Sequence, residues 1–240
     1  MFLDAMDSLG LYAKGIYEPL ETSIVEHLVT PGDVVLDIGA HIGYYTLLFS
    51  GLVGESGKVF AFEPDQANFR VLEKNVAINR LSNVTLVQNA ISNLNGIAQL
   101  YVSRSNSGDH QMYRSDSERP AVDVASLRLD SYFDNEVHDI SFVKMDIQGS
   151  EWAALRGMER LVGCLPRLRI MTEFWPRGLV RAGADPAEFL AWFSRNGFRL
   201  YEIGRRRRKL EEASTSYLLS TLTPERGNFA NLLCVKDQPD

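Results

Sequence analysis

Short apolar, β-branched runs alternate with longer amphipathic stretches along most of this chain. Val34-Val35-Leu36-Asp37-Ile38 follows the turn signal Pro31-Gly32-Asp33 and predicts a buried strand. Gly39 to Gly43 predict a turn, and Tyr44 to Val53 a helix that Gly54 and Gly57 end. Lys58 to Phe62 predict a second strand, closed by Glu63-Pro64. Asp65 is placed to cap a helix running to about Asn79, and Val84 to Val87 predict a third strand. Strand and helix alternating in this way indicate a parallel sheet with helices on both faces.

Residues 91–133 break the rhythm. Gln99 to Ser103 and Val122 to Leu129 read as strands, and the polar stretch Ser103 to Pro120 between them reads as a mobile loop, so a hairpin-like insertion is expected. Ile140 to Met145 resume the parallel sheet, with a helix from about Ser150 to Val162. Arg169 to Phe174 predict another strand, and Pro186 to Asn196 a helix that Gly197 stops. Phe198 to Ile203 and Phe229 to Val235 predict the last two strands. The expected fold is α/β and Rossmann-like, with a mostly parallel seven-stranded sheet. Residues 1–30 are expected as a helical lead segment, and residues 31–240 as a single domain.

With 240 residues the chain builds one sizeable core. Its 45% hydrophobic and 23% charged residues are those of a soluble globular protein. The net charge of −6 argues against a general nucleic-acid footprint, which needs a basic surface. Cys164 and Cys234 lack metal-ligand spacing and sit among apolar neighbours; they read as two buried thiols in a reducing compartment. No apolar run approaches membrane-spanning length. Met1-Phe2-Leu3-Asp4 lacks the basic start of a signal peptide, so a cytoplasmic location is expected. Arg205-Arg206-Arg207-Arg208-Lys209 is the only charge run. It reads first as a solvated loop, partly neutralised by Glu211 and Glu212, and second as a handle for an anionic substrate.

In an open α/β sheet, ligands bind beyond the carboxyl ends of the parallel strands. Asp37, Glu63, Asp146 and Glu173 all fall at such ends, where a core needs no acid. They suit a site that handles hydroxyl, amine or cationic groups. The turn Asp37-Ile38-Gly39-Ala40-His41-Ile42-Gly43 lacks the middle glycine that brings backbone to a pyrophosphate. Its relaxed spacing suits S-adenosylmethionine, which has no phosphate. Asp37, Gly39, His41, Gly43 and Tyr44 are therefore candidate cofactor residues. Glu63 lies twenty residues after Gly43, placed to accept both ribose hydroxyls. Asn89-Ala90 is expected near the adenine.

The segment Lys144-Met145-Asp146-Ile147-Gln148-Gly149-Ser150-Glu151 ends a strand in an acid and opens a helix through a glycine. Asp146 is expected to bind the cofactor and to face the reacting group as base or orienter. The plainer reading has Asp146 and Glu151 binding the amides of the helix start. Glu173 and Trp175 are candidates for substrate binding and for a pocket wall; alternatively Trp175 is core and Glu173 pairs with an arginine. His110 lies where a substrate lid is expected, while His27 and His138 read as structural or surface residues. No metal is predicted, because Asp146 and Glu173 have no evident third oxygen partner.

At these residues the sequence resembles the FkbM-type methyltransferase family. The resemblance rests on Val35 to Thr46, on Phe60-Ala61-Phe62-Glu63-Pro64, on Val143 to Glu151 with Leu155-Arg156-Gly157, and on Asn231 to Val235; Tyr17-Glu18-Pro19 also resembles it. It implies a class I methyltransferase fold, S-adenosylmethionine as donor, and methylation of a hydroxyl oxygen, often on a polyketide, a sugar or a glycolipid. His41 stands where the family often has Asn, and Gln148 where it often has Glu. The expected partner is a small-molecule, glycan or polyketide substrate, with no nucleic acid and no membrane span. A nicotinamide-dependent oxidoreductase is the main alternative, opposed by the missing glycine; a non-catalytic cofactor-binding protein is another. The Asn/Asp-Pro-Pro-aromatic tetrapeptide and the Pro-Cys pair used to methylate nucleic-acid bases are absent.

Overall fold

Burial on both faces of Val35, Leu36, Asp37 and Ile38 marks the strand they form as central to a covered sheet. The computed structural model describes residues 1–5, 7–115, 119–134, 139–204 and 209–237. Helices α1 (Leu11–Lys14) and α2 (Pro19–Leu28) lead into β1 (Val34–Ile38), α3 (Tyr44–Val53), β2 (Lys58–Phe62), α4 (Gln66–Ile78) and β3 (Val84–Val87). Then come β4 (Ala90–Ile91), β5 (Gly96–Tyr101), β6 (Ala121–Leu127) and α5 (Leu129–Tyr132). The sheet resumes with β7 (Ile140–Met145), α6 (Glu151–Arg156), α7 (Glu159–Cys164), β8 (Leu168–Phe174), α8 (Pro176–Arg181) and α9 (Pro186–Arg195). The chain ends with β9 (Arg199–Gly204), β10 (Lys209–Glu212), α10 (Thr215–Thr221) and β11 (Ala230–Lys236).

The main sheet runs β10-β9-β11-β8-β7-β1-β2-β3. Its strands from β8 to β3 are parallel, and β11 is antiparallel to both β8 and β9. The chain builds outward from β1 to β3 and then returns to the other side of β1 with β7. Loops leaving β1 and β7 therefore diverge and open a crevice above them. Below it, Leu36, Ile38, Phe62, Met145 and Phe174 pack on one side with α6, α7 and α9. Val35, Phe49, Val59 and Phe142 pack on the other with α3, and Val25 of α2 joins them.

Four expectations change. The sheet has eight strands rather than seven, because β10 adds an antiparallel edge to β9. All four residues of β10 are exposed, so it carries no buried alternation by which to be recognised. The insertion is a separate three-stranded sheet, β4-β6-β5, in which β4 pairs parallel to β6. The helix expected over 150–162 is broken after α6: a Cβ on Gly157 would stand 2.0 Å from the Ser92 carbonyl oxygen. The new helix start is capped from afar, since the Asp130 carboxylate accepts from the Arg160 and Leu161 amides at 3.1 and 2.9 Å. Finally, Cys164 is exposed at the end of α7, and only Cys234 is buried. Asp65 does cap α4, accepting from the Ala67 and Asn68 amides at 2.9 Å. His138 and Arg205–Arg208 lie outside the described residues, among which no helix is long and apolar enough to cross a membrane.

Candidate active site

Three residues of the first turn hold it in shape from beneath or from the side. Asp37, expected as a cofactor residue, is fully buried beneath the two clefts described below. Its Oδ2 accepts from the Thr46 hydroxyl at 2.6 Å, tying β1 to α3, while its Oδ1 is buried with no partner among the described residues. Gly43 likewise does not face a cleft; at φ +93° it starts α3, and a Cβ there would press on Leu72. Gly39, at φ +77°, does face the crevice, and its bare backbone lies against the main chain of Asp146. Thr46→Val, nearly the same size, should lower stability by about 2 kcal/mol by leaving the buried Asp37 carboxyl without its donor; urea unfolding reads it.

Above the turn lies a first cleft, with about 60 Å³ free, walled by Ile38, Gly39, Phe62, Glu63, Asn89 and Ala90. The insertion covers it with Leu100, Ser107, His110 and Met112. Glu63 sits at its edge: Oε2 accepts from the His41 amide at 2.8 Å and Oε1 from the Asp65 amide at 2.9 Å. His110, expected in a substrate lid, stands in this covering segment, its Nε2 3.9 Å from Asp65 Oδ2 and its Nδ1 accepting from the Ser103 amide at 3.1 Å. His41 (φ +52°) turns its ring toward the covering segment, with Nε2 2.9 Å from Ser107 Oγ. Ser107 Oγ in turn donates to Asp4 Oδ2 at 2.9 Å, so the first residues of the chain clasp the covering segment. Phe2 is tied to α4 through Asn75.

A second cleft of about 220 Å³ continues from the first and shares Gly39, His41, Asp146 and Gln148 with it. Tyr17, Tyr44, Tyr45 and Lys144 are among its other walls, with Asp109 from the insertion. Their rings meet edge to face, and the Lys144 ammonium lies 4.9 Å from the Tyr45 ring centroid. Asp146 is held on two sides. Gln148 Nε2 donates to its Oδ1 at 2.9 Å, and Lys144 Nζ stands 3.8 Å from its Oδ2. Glu151 fixes the turn that follows, accepting from the Ile147 and Gly149 amides at 3.1 and 3.2 Å. The plainer reading thus holds for Glu151, while Asp146 faces the clefts. Glu173 and Trp175 line outer clefts together with Phe229, on the far side of Gln148. Among the described residues no group of three or more His, Cys, Asp or Glu could hold a metal ion.

Glu18 and Lys144 carry much of the electrostatics, yet sequence reasoning named neither as a site residue. Glu18 sits at φ +45° before α2, its Oε2 accepting from the Tyr45 hydroxyl at 3.1 Å. Its only sequence signal was the Tyr17-Glu18-Pro19 match. Lys144 is 7% exposed; despite burial its pKa is raised, held up by Asp146, Asp37, Glu18 and Glu63. Burial pushes Glu18, Glu63 and Glu151 each up to about 7. Each binds a proton more readily folded than unfolded, so each contributes stability below its unfolded pKa that is lost as pH rises through 7. Burial pushes His41 down to about 4, which acts oppositely but only below its unfolded pKa of about 6.5. The melting temperature of the ligand-free protein should therefore fall between pH 5 and 8, most steeply near pH 6 and levelling off above 7, and less so in Glu63→Gln.

Comparison with known proteins places this architecture. The family model described as "Methyltransferase FkbM domain" matches residues 37–200. A ribosomal RNA large subunit methyltransferase E from Chromobacterium violaceum is 37% identical over 54 residues, which is 22% of this chain and only 26% of that protein. Two solved structures share the fold. One is a putative rRNA methylase from Clostridium thermocellum, with TM-score 0.56, 15% identity, and 92% of this chain and 96% of that one covered. The other is a putative methyltransferase from Streptococcus mutans in complex with SAH, with TM-score 0.54, 10% identity, and 91% and 96% covered.

Proposed function

Because the chain belongs to the FkbM methyltransferase family, we propose that it transfers a methyl group from S-adenosylmethionine to a hydroxyl oxygen of a small-molecule, glycan or polyketide acceptor. The observation that carries this is Asp146: one strand-end carboxylate is shared by both inner clefts and by the groove that opens outward past Gln148. The residues fit the cofactor. Gly39 lets the first turn lie against the main chain of Asp146 to form the wall the inner clefts share, and Asn89, Ala90 and the apolar walls of the first cleft suit a purine. Each Glu63 oxygen accepts one amide and has a second lone pair for a ribose hydroxyl. The second cleft, with Tyr44, Tyr45 and Lys144, suits the amino-acid tail. The free space of the first cleft holds about two waters, so a nucleoside enters when the covering segment lifts.

When bound, the cofactor supplies an electrophilic methyl on a positively charged sulfur. The work left to the chain is to hold the acceptor oxygen in line, which removes roughly 7–11 kcal/mol of a bimolecular barrier at best. As that oxygen gains the methyl it must lose its proton, and Asp146 is the carboxylate placed to accept it. Gln148 and Lys144 keep the Asp146 side chain in one orientation.

An RNA acceptor is the second reading, because two of the similar proteins are described as rRNA methylases. Phosphodiesters need a cationic path. The groove beside Asp146 is instead lined by Asp7, Glu18, Glu21 and Glu173, with Lys14 as its cation. The chemistry favours a neutral or cationic acceptor. Calorimetry with S-adenosylhomocysteine and with NAD, followed by label transfer from methyl-labelled donor into glycan, polyketide and RNA fractions, tests the reading. Micromolar binding of the first and label in a hydroxylated small molecule are expected. Binding of NAD alone, or label in RNA alone, overturns it.

A further inference from the structure

Glu18 neither holds the cofactor nor orients Asp146, yet the chain is constrained to place it. Its backbone stands at φ +45° and ψ 68°, a left-handed conformation that a non-glycine residue keeps only where its surroundings enforce it. Both carboxylate oxygens are held. Oε2 accepts from the Tyr45 hydroxyl at 3.1 Å, and Oε1 from Asn231 Nδ2 at 3.4 Å. Asn231 also donates to Glu21 Oε1 at 2.7 Å, so α2, α3 and β11 meet at this acid. The result is a half-buried carboxylate fixed in the wall of the outward groove, which Asp146 and Gln148 also line.

The groups that face Glu18 are Asp146 and Lys144 from β7, Glu21 from α2 and the Tyr45 hydroxyl from α3; Asp7, Lys14 and Glu173 line the same groove. Burial raises its proton affinity most, and the like charge of Asp146 comes next. Lys144 opposes them, Glu21 adds to them, and the Tyr45 hydroxyl opposes them, which leaves Glu18 at about 7. Lys144 serves both acids. Its Nζ stands 3.8 Å from Asp146 Oδ2 and 4.9 Å from the centroid of the Tyr45 ring, whose hydroxyl binds Glu18. One ammonium, the Asp146 carboxylate and a protonated Glu18 sum to no net charge. A sulfonium beside Asp146 adds one positive charge, and ionisation of Glu18 cancels it.

Given the methyltransferase reading above, on which this step rests, we infer that Glu18 is the proton store of the transfer step: it gives a proton to solvent when the sulfonium enters, and it receives the acceptor's proton through Asp146 once the methyl has moved. In the transfer the carbon–sulfur bond breaks with its electron pair going to sulfur. The acceptor oxygen forms the new carbon–oxygen bond, and its proton passes to Asp146 and on to Glu18. Sulfur ends neutral and Glu18 ends protonated, so the charge of the site is the same throughout. One proton reaches solvent per methyl moved, at donor entry rather than at transfer. Donor and spent donor differ by that one charge, so Glu18 also makes their relative affinity depend on pH.

The test needs no acceptor. The full chain is titrated by calorimetry with S-adenosylmethionine and, separately, with S-adenosylhomocysteine, in buffers of low and high ionisation enthalpy, so that the heats count protons released. About pH 6.5 is suitable, because it lies below the α-amino range of about 7.7–8.0 and both ligands arrive with a protonated tail. S-adenosylmethionine should release about half a proton more than S-adenosylhomocysteine, and its affinity relative to S-adenosylhomocysteine should rise about threefold from pH 6 to 7. The excess should vanish in Glu18→Gln, which still offers an oxygen to Tyr45. Tyr45→Phe decides the matter even if that variant does not fold: it removes a hydroxyl that favours the ionised form of Glu18, so the pH of greatest excess should move upward. Equal release by the two ligands, an excess kept in Glu18→Gln but lost in Glu63→Gln, or an unmoved maximum in Tyr45→Phe overturns the inference and leaves the methyltransferase reading standing. Failure of both compounds to bind overturns that reading and this inference with it.

Discussion

Gly39→Ala is expected to remove measurable binding of S-adenosylhomocysteine and to lower unfolding stability by about 2–5 kcal/mol. Two costs combine. The residue sits at φ +77°, where a non-glycine side chain is strained by about 1–3 kcal/mol. The added methyl would also stand 2.2 Å from the Asp146 carbonyl oxygen and 2.9 Å from Ile147 Cγ2. Overpacking of that kind typically costs a further 1–3 kcal/mol. It cannot be relieved locally, because the Asp146 amide donates to the Ile38 carbonyl at 3.2 Å, so moving one turn drags the other. The two turns that form the shared wall of the inner clefts would part, and the cofactor site would lose its shape. Calorimetry and urea unfolding together check this. A dissociation constant within threefold of the parent, with an unchanged unfolding midpoint, would show that the close approach of the two turns is not what makes the site.

Asp146→Asn should act differently, reducing methyl transfer by about 10²–10⁴-fold while leaving S-adenosylhomocysteine affinity within a few-fold. Asparagine keeps the shape and can still accept from Gln148 Nε2, so the turn survives. It loses the capacity to take a proton and the charge that faces Lys144. Lys144 remains compensated, because Asp37, Glu18 and Glu63 also hold its charge. Removing one of several partners is milder than stranding a buried ion, which typically costs about 3–5 kcal/mol. Single-turnover transfer and a melting curve separate the chemical loss from any loss of fold. Transfer at the parent rate would assign proton removal to another group or to water.

What the sequence made legible was local. Strand, glycine turn and helix around Gly39 and Gly43 are set by neighbours in the chain, as are Glu63 at the end of β2 and Asp146 at the end of β7. The family domain and the α/β architecture followed from those same stretches. What stayed hidden depends on contacts between distant parts. The tie between Asp37 and Thr46 was hidden because a strand-end acid looks the same whether it faces a crevice or accepts from the next helix. The contact of His110 with Asp65 was hidden because the insertion's path over Glu63 and Asn68 is not written in its own pattern. Gly157 is an ordinary helix residue until Ser92 is brought against it.

The clasp among Asp4, Ser107 and His41 has a practical corollary for anyone preparing the protein. Affinity tags and cleavage scars are usually placed ahead of residue 1 on the assumption that chain ends are inert. Here Phe2 is held by Asn75 of α4, and Asp4 holds Ser107 of the segment over the first cleft. If the first cleft takes the nucleoside as proposed, groups fused next to Phe2 would strain this latch, and turnover numbers from differently tagged batches would disagree even when each is correctly folded.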